Sequence, residues 1–77
     1  MANPHDRFTV KINKKTYEFT EAMRTGVQIL EKAGFDAEHY DLFQVIQGES
    51  VPITPDQEVE LKNGEHFRAI PKDITLG

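Results

Sequence analysis

The stretch Thr25-Gly-Val-Gln-Ile-Leu-Glu-Lys-Ala-Gly34 decides the fold, because it is the one segment of the 77-residue chain that reads as a full helix. Thr25 and Gln28 fit a capping box, in which each side chain bonds the backbone of the other residue. The apolar positions of the segment are Val27, Ile29, Leu30 and Ala33. Gly34 stands where a left-handed residue would end the helix. A helix this short is stable only against a sheet, so we predict one helix, from about Thr25 to Ala33, packed on strands.

Two alternating segments precede the helix. Phe8–Ile12 alternates apolar and polar residues with the period of a half-buried strand, and Thr16–Thr20 does the same. The polar residues Asn13–Lys15 separate them. Two such segments joined by a short polar break predict a β-hairpin.

A third strand is predicted after the helix, over Tyr40–Ile46. The pattern leaves open which side it buries, since Leu42 and Ile46 share one face while Phe43 and Val45 share the other. A β-bulge would resolve this conflict.

The rest of the chain predicts shorter elements. Val51–Ile53 reads as a short edge strand, where a proline is tolerated. Thr54–Gln57 combines an N-cap threonine with a proline at the first helical position, which predicts a single helical turn. Asn63-Gly64 predicts a tight turn, and His66–Ile70 reads as the last strand.

This order of elements predicts a fold of the α+β class. A helix that follows a hairpin and precedes further strands must cross one face of a mixed sheet, here of about four or five strands. That arrangement is the β-grasp. We expect a disordered leader over residues 1–6, the β-grasp domain over 7–71 and a flexible tail over 72–77. The predicted core residues are Val10, Ile12, Phe19, Ile29, Leu30, Leu61 and Phe67.

Composition excludes several classes of function. A chain of 77 residues is one domain that buries roughly 60–65% of its unfolded surface, which weighs against an enzyme with a deep cleft. There is no cysteine, so thiolate catalysis and zinc-thiolate sites are excluded and a cytosolic location is favoured. The net charge of −4 argues against nucleic acid as the main partner. No apolar segment approaches membrane-spanning length, so no membrane association is expected.

The residue types that carry catalysis form no recognisable constellation. His5, His39 and His66 lack the spacing of a metal site. The nearby acidic residues Glu58, Glu60 and Glu65 have no evident cleft to hold them as a catalytic pair. No glycine-rich phosphate loop is present. We therefore expect no catalytic residue, no cofactor and no metal.

Two features remain as candidates for function. Gly77 ends an extended polar segment, and glycine offers a carboxylate that a narrow active-site channel can admit. If Phe67 faces the core, Ile70 faces water beside Phe43 or Val45, and a contiguous apolar patch on a sheet is a candidate docking site.

The chain from about residue 7 to residue 77 resembles ubiquitin-like proteins, and most closely the prokaryotic multiubiquitin-type domains found beside bacterial activating-enzyme homologues. The segments that carry the resemblance are Phe8-Thr-Val-Lys-Ile12, Thr25-Gly-Val-Gln-Ile-Leu30 with Ala33-Gly34, Tyr40-Asp-Leu42, and Val59-Glu-Leu-Lys-Asn-Gly64 with Phe67.

This resemblance implies a protein modifier. Its C-terminal carboxylate, on Gly77, would be adenylated with ATP, passed to an enzyme cysteine as a thioester and then transferred to a target. Ile74, Thr75 and Leu76 would thread the channel of the activating enzyme. The implied partners are an adenylating enzyme, a conjugating-enzyme homologue, a processing or deconjugating peptidase, and a target protein.

The tail also departs from the eukaryotic pattern. Leu76 precedes Gly77 where ubiquitin has a second glycine, and Asp73 interrupts the basic character. One alternative is a sulfur carrier with a C-terminal thiocarboxylate, although such carriers usually end in two glycines. Another is a ubiquitin-like interaction module that needs no free tail. The sequence leaves open whether Gly77 is encoded last or exposed by processing, and whether the acceptor is an amine or a hydroxyl.

Overall fold

The computed structural model describes residues 7–72, so the predicted leader and residues 73–77 lie outside the described part. These described residues form seven strands and one helix. In chain order they are β1 (Phe8–Ile12), β2 (Lys15–Phe19), β3 (Met23–Thr25), α1 (Gly26–Lys32), β4 (Tyr40–Ile46), β5 (Glu49–Ile53), β6 (Glu58–Glu60) and β7 (Glu65–Pro71). Five strands form a mixed sheet in the order β2-β1-β7-β4-β5, and β3 pairs with β6 in a separate two-stranded sheet.

The fold is the predicted β-grasp of the α+β class. β1 and β7 are parallel at the centre of the sheet, whereas the pairs β1–β2, β4–β7 and β4–β5 are antiparallel. The helix α1 crosses one face, which we call the inner face. This helix, of 7 residues, is not long and apolar enough to cross a membrane.

Both predicted ends of the helix are confirmed. The Thr25 side chain accepts a hydrogen bond from the Gln28 amide at 3.2 Å, and the Gln28 side chain accepts one from the Thr25 amide at 2.9 Å. At the other end, Gly34 has φ +85° and the Phe35 amide donates to the Leu30 carbonyl at 2.9 Å. This is the hydrogen-bond pattern of a left-handed helix cap.

The hairpin between β1 and β2 is tighter than predicted. Asn13 and Lys14 have φ of 52° and 72°, which makes them the two central residues of a type I′ turn. Lys15 therefore already belongs to β2, and the strand runs over Lys15–Phe19 rather than Thr16–Thr20. The strands β5 and β7 are likewise longer than the predicted Val51–Ile53 and His66–Ile70.

The helical turn predicted at Thr54–Gln57 is wrong. The segment is a hydrogen-bonded turn, in which the Gln57 amide donates to the Thr54 carbonyl at 3.1 Å. Two of its backbone carbonyls accept hydrogen bonds from the start of α1. The carbonyl of Gln57 accepts from the Gly26 amide at 3.1 Å, and that of Pro55 accepts from the Val27 amide at 2.9 Å. The turn thus satisfies two amides at the start of α1 that no helical partner can satisfy.

The bulge considered for the third strand is absent. β4 pairs residue by residue with β5 on one side and β7 on the other. Leu42 lies in the core, Phe43 and Val45 point to the opposite face, and Ile46 on the inner side is 46% exposed. The apparent conflict arises because the short helix does not cover the end of this strand.

The strand β3 was missed by the sequence analysis. Met23–Thr25 pairs with Glu58–Glu60, and three residues are too few to show an alternating pattern. The amide of Leu61 continues the connection by donating to the Ala22 carbonyl at 2.7 Å. This small sheet covers the core below Val59, which is buried.

The core between α1 and the inner face contains every residue that the sequence predicted for it. The buried residues are Val10, Ile12, Phe19, Ile29, Leu30, Leu42, Ile53, Val59, Leu61, Phe67 and Ala69. Phe35 and Tyr40 pack at the edge of this core with ring centroids 4.7 Å apart.

Candidate functional site

Within residues 7–72 no helix or strand covers the face of the sheet opposite the helix, and we call this face the outer face. Because successive residues of a strand point to opposite sides, the paired register fixes which residues share this face. They are Thr9 and Lys11 of β1, Thr16 and Glu18 of β2, Asp41, Phe43 and Val45 of β4, Ser50 and Pro52 of β5, and His66, Arg68 and Ile70 of β7.

The three residues of the predicted patch come together on the outer face. Phe43 lies opposite Arg68 and is the diagonal neighbour of Ile70, while Val45 lies two residues further along β4, opposite His66. Diagonal neighbours in a sheet are within reach of large side chains. Phe43, Val45 and Ile70 are all half-buried, so they form an apolar stripe across β4 and β7 that is neither core nor fully exposed.

Basic side chains border this stripe. Lys11 and Arg68 point to the same face and are exposed. Two acidic residues in the described part of the chain share the face. Glu18 lies on the edge strand β2, with a carboxylate oxygen 3.9 Å from Arg7. Asp41 lies directly opposite Ile70, with a carboxylate oxygen 3.9 Å from Lys72. Exposed pairs of this kind contribute little stability. The stripe is therefore bordered by the basic residues Lys11 and Arg68 and, beside Ile70, by the acidic residue Asp41.

A depression of about 340 Å³ lies at the end of the stripe near the β1–β2 turn. It is lined by Asn13, Lys14, Val45, His66, Phe67 and Arg68. Its lining comes from the β1–β2 turn and from the strands β4 and β7.

A second depression, of about 430 Å³, lies between the end of β2 and the helix. Among its lining residues, Glu21 forms an ion pair with Arg24, and the Lys32 ammonium lies 5.7 Å from the centre of the Phe19 ring. Charges of both signs line it, so it offers no defined ligand chemistry.

The strand β7 leads from the outer face toward the tail. It stays paired with β4 up to Pro71, which lies opposite Tyr40. Lys72, the first residue of the predicted tail, still donates its amide hydrogen to the His39 carbonyl at 2.8 Å. The candidate residues Ile74, Thr75, Leu76 and Gly77 lie outside the described residues.

The connector that holds Lys72 is itself fixed by Asp36. One carboxylate oxygen of Asp36 accepts the Glu38 amide at 3.0 Å, and the other lies 2.8 Å from Nδ1 of His39. The hydrogen bond from the Glu38 amide, followed by that from His39, lowers the pKa of the Asp36 carboxyl below its ordinary value of 3.8.

The other titratable candidates stay apart. His39 and His66 are exposed on different elements, and no three metal-ligating side chains cluster within residues 7–72. Glu58 lies exposed on β6, whereas Glu65 is half-buried at the start of β7. A buried carboxylate oxygen of Glu65 has no hydrogen-bond partner in the described part of the chain.

The sequence indicated no role for Asn13 beyond its place in the polar break between β1 and β2. Its side-chain amide forms two hydrogen bonds of 3.0 Å with the backbone of Ala69 in β7. An asparagine in a hairpin turn signals positive φ, but no sequence pattern indicates that its amide will face another strand.

Comparison with known proteins gives one family. The model of the family described as Multiubiquitin matches residues 8–73 of the chain. No curated protein and no solved structure matches.

Proposed function

Because the chain belongs to the multiubiquitin family, we propose that it is a ubiquitin-like protein modifier that partner enzymes activate at the carboxylate of Gly77. A carboxylate oxygen attacks the α-phosphorus of ATP and releases pyrophosphate, which leaves a mixed anhydride with AMP. A cysteine thiolate of the partner displaces AMP and forms a thioester. An amine or hydroxyl of the target then displaces the thiol, which gives an isopeptide or ester bond.

The observation that carries this proposal is the family match, which spans the folded domain and ends at residue 73, just before Ile74–Gly77. The chemistry belongs to the partners, because a carboxylate does not react with an amine at neutral pH without activation. We therefore assign this chain no catalytic residue of its own.

The placement of the elements suggests separate roles for the outer face, which would bind the partner, and for the tail, which would react. β7 carries Ile70 on the outer face and runs directly toward the tail. Binding energy gained at the patch of Phe43, Val45 and Ile70, remote from the reacting carbonyl, would position the tail in the active site. Ile74–Leu76 would then pass through the enzyme channel.

The proposed partners are those that the modifier chemistry requires. They are an adenylating enzyme, a conjugating-enzyme homologue, a target protein, and a peptidase that exposes the terminal glycine or removes the modifier. Since activation consumes ATP, we place the reaction in the cytosol.

The decisive experiment changes Gly77. We expect deletion of Gly77, or the β-branched substitution Gly77→Val, to abolish adenylate and thioester formation, because the channel must admit the carboxylate without steric hindrance. Gly77→Ala, which adds one methyl group, should retain more activity than Gly77→Val. The measurements are ATP–pyrophosphate exchange with the activating enzyme and a gel for a reducible modifier–enzyme adduct. The thermal midpoint of each variant controls for folding.

Two outcomes would point elsewhere. Full adenylation of the variant lacking Gly77 would contradict the proposal and favour an interaction module. A mass increase that corresponds to exchange of one oxygen for sulfur, in protein co-expressed with its partner enzyme, would identify a sulfur carrier.

A further inference from the structure

The central strand β7 extends past the end of its parallel neighbour β1. The register between them ends with Ile12 opposite Phe67, whereas β7 continues to Pro71. Without a substitute for β1, the backbone of Ala69 would lack partners on that side. An unpaired stretch of a central strand invites fraying or pairing with another chain.

The side chain of Asn13 takes the place of the missing strand. Nδ2 donates to the Ala69 carbonyl at 3.0 Å, and the Ala69 amide donates to Oδ1 at 3.0 Å. The backbone N–H of Asn13 donates to the Phe67 carbonyl at 3.1 Å, and this bond aligns the Asn13 side chain with the backbone of Ala69. A side-chain amide offers the same donor and acceptor as a peptide group, so the parallel ladder continues by one step.

The next residue of β7 that faces this edge is Pro71, because residues alternate along a strand. Proline has no backbone N–H, so it leaves no unpaired donor there. The opposite edge of β7 pairs with β4, and Lys72 bonds His39. β7 is therefore fixed from both sides up to Ala69, and from the β4 side up to Lys72, the last described residue.

We propose that Asn13 is a positioning residue, which fixes the end of β7 so that the tail leaves the domain from a constant point and direction. This inference rests on the proposed modifier function. A partner that docks on the outer face holds the domain, and a rigid β7 then delivers the Gly77 carboxylate to the reacting phosphate. If the end of β7 frays, the effective concentration of the carboxylate falls while docking is unchanged. The loss should therefore appear in kcat rather than in KM.

The structure offers a matched set of variants. Asn13→Asp keeps the shape but replaces the donor Nδ2 with an oxygen that repels the Ala69 carbonyl. Asn13→Gly accepts the φ of 52° and removes the side chain without adding charge. Asn63→Asp is the control, because Asn63 uses its side-chain oxygen to accept the Thr9 amide at 2.7 Å and an aspartate retains that oxygen.

Two measurements test the proposal at a temperature where every variant is folded. Amide hydrogen exchange needs no enzyme, and we expect exchange at Ala69 to become about 10-fold faster or more in both Asn13 variants. In steady-state adenylation, followed with an enzyme that activates the wild-type chain, we expect kcat to fall by about 3- to 10-fold with little change in KM. Asn63→Asp should match the wild type in both measurements.

Several results would overturn this inference. Unchanged exchange at Ala69 would show that Asn13 does not hold the strand. Faster hydrogen exchange at Ala69 with an unchanged kcat would show that Asn13 stabilises the strand but does not position the tail. An equal loss in Asn63→Asp would assign the effect to the added charge. Wild-type protein that no adenylating enzyme accepts would refute the modifier function itself, and the positioning role with it, whatever the exchange measurement gives.

Discussion

At the scale of single residues, Gly26 shows how the absence of a side chain joins two segments. A Cβ atom at this position would lie 2.5 Å from the Thr54 carbonyl oxygen and 3.3 Å from atoms of Ile53 and Pro55. The backbone of the turn after β5 therefore reaches the first residue of α1, where it accepts helix amides. The close contact thus joins the start of the helix to the end of β5 and to the turn that follows it.

We expect Gly26→Ala to destabilise the domain by about 1–3 kcal/mol, the usual cost of forcing a methyl group into a packed site. The sign of the change in the free energy of unfolding is informative, because alanine in place of glycine normally stabilises a helix by about 1 kcal/mol. The measurement is the free energy of unfolding in denaturant. Glu31→Ala, at an exposed position of the same helix, is the control and should change stability by less than about 0.5 kcal/mol. Stabilisation by Gly26→Ala would show that the turn moves away at little cost.

At the scale of elements, the connector between α1 and β4 links the helix to the end of β7. Asp36 organises it, since its backbone carbonyl accepts the amides of His39 and Tyr40 and its carboxylate accepts that of Glu38. The His39 carbonyl in turn accepts the Lys72 amide. An exposed segment without regular secondary structure thereby gains a fixed geometry.

The lowered pKa of Asp36 predicts a pH dependence of this connector. The folded protein binds the proton less tightly than the unfolded chain, so the ionised carboxylate stabilises the fold above its ordinary pKa of 3.8. That stabilisation is lost as the pH falls through the lower pKa of the folded state. In Asp36→Asn the contribution is absent, so the difference in unfolding free energy between wild type and variant should shrink as the pH falls from about 5 to below 3.8. A difference that stays constant over this range would contradict the assignment.

At the scale of the whole molecule, the two faces of the sheet differ in what covers them. The inner face packs against α1, and the outer face carries the stripe of Phe43, Val45 and Ile70 without a covering element in residues 7–72. Ile46 also remains exposed, but it belongs to the inner side at the end of β4. Residues 7–72 thus place two isoleucines outside the core on opposite faces, Ile70 half-buried and Ile46 exposed.

This arrangement predicts different effects of one substitution at the two sites. Ile70→Asp should weaken binding to the activating enzyme by about 1–3 kcal/mol, the range for a central interface residue, and should change the thermal midpoint little. Ile46→Asp removes the same side chain from the opposite face and should leave binding unchanged. Titration calorimetry or a fluorescence binding assay measures the difference. Unfolding of the domain by Ile70→Asp would show that Ile70 belongs to the core.

The sequence by itself determined the elements whose signals are local. The capping box of Thr25 and Gln28, the cap at Gly34 and the alternation of Phe8–Ile12 depend on contacts within a few residues, and each is confirmed. The predicted core is confirmed for the same reason, because periodicity alone assigns a residue to one face of its own element. The grouping of Phe43, Val45 and Ile70 on one face likewise followed from alternation, and their role in binding stays a prediction.

Only the tertiary structure decided the contacts between segments distant in sequence. The pairing of β3 with β6, the capping of α1 by the Thr54–Gln57 turn and the bonds between Asn13 and Ala69 each join residues that carry no local sign of their partner. A backbone donor or acceptor must find a partner, but a sequence does not state which carbonyl or side chain will lie within reach. That choice depends on how the helix and the strands pack, which is a property of the assembled fold.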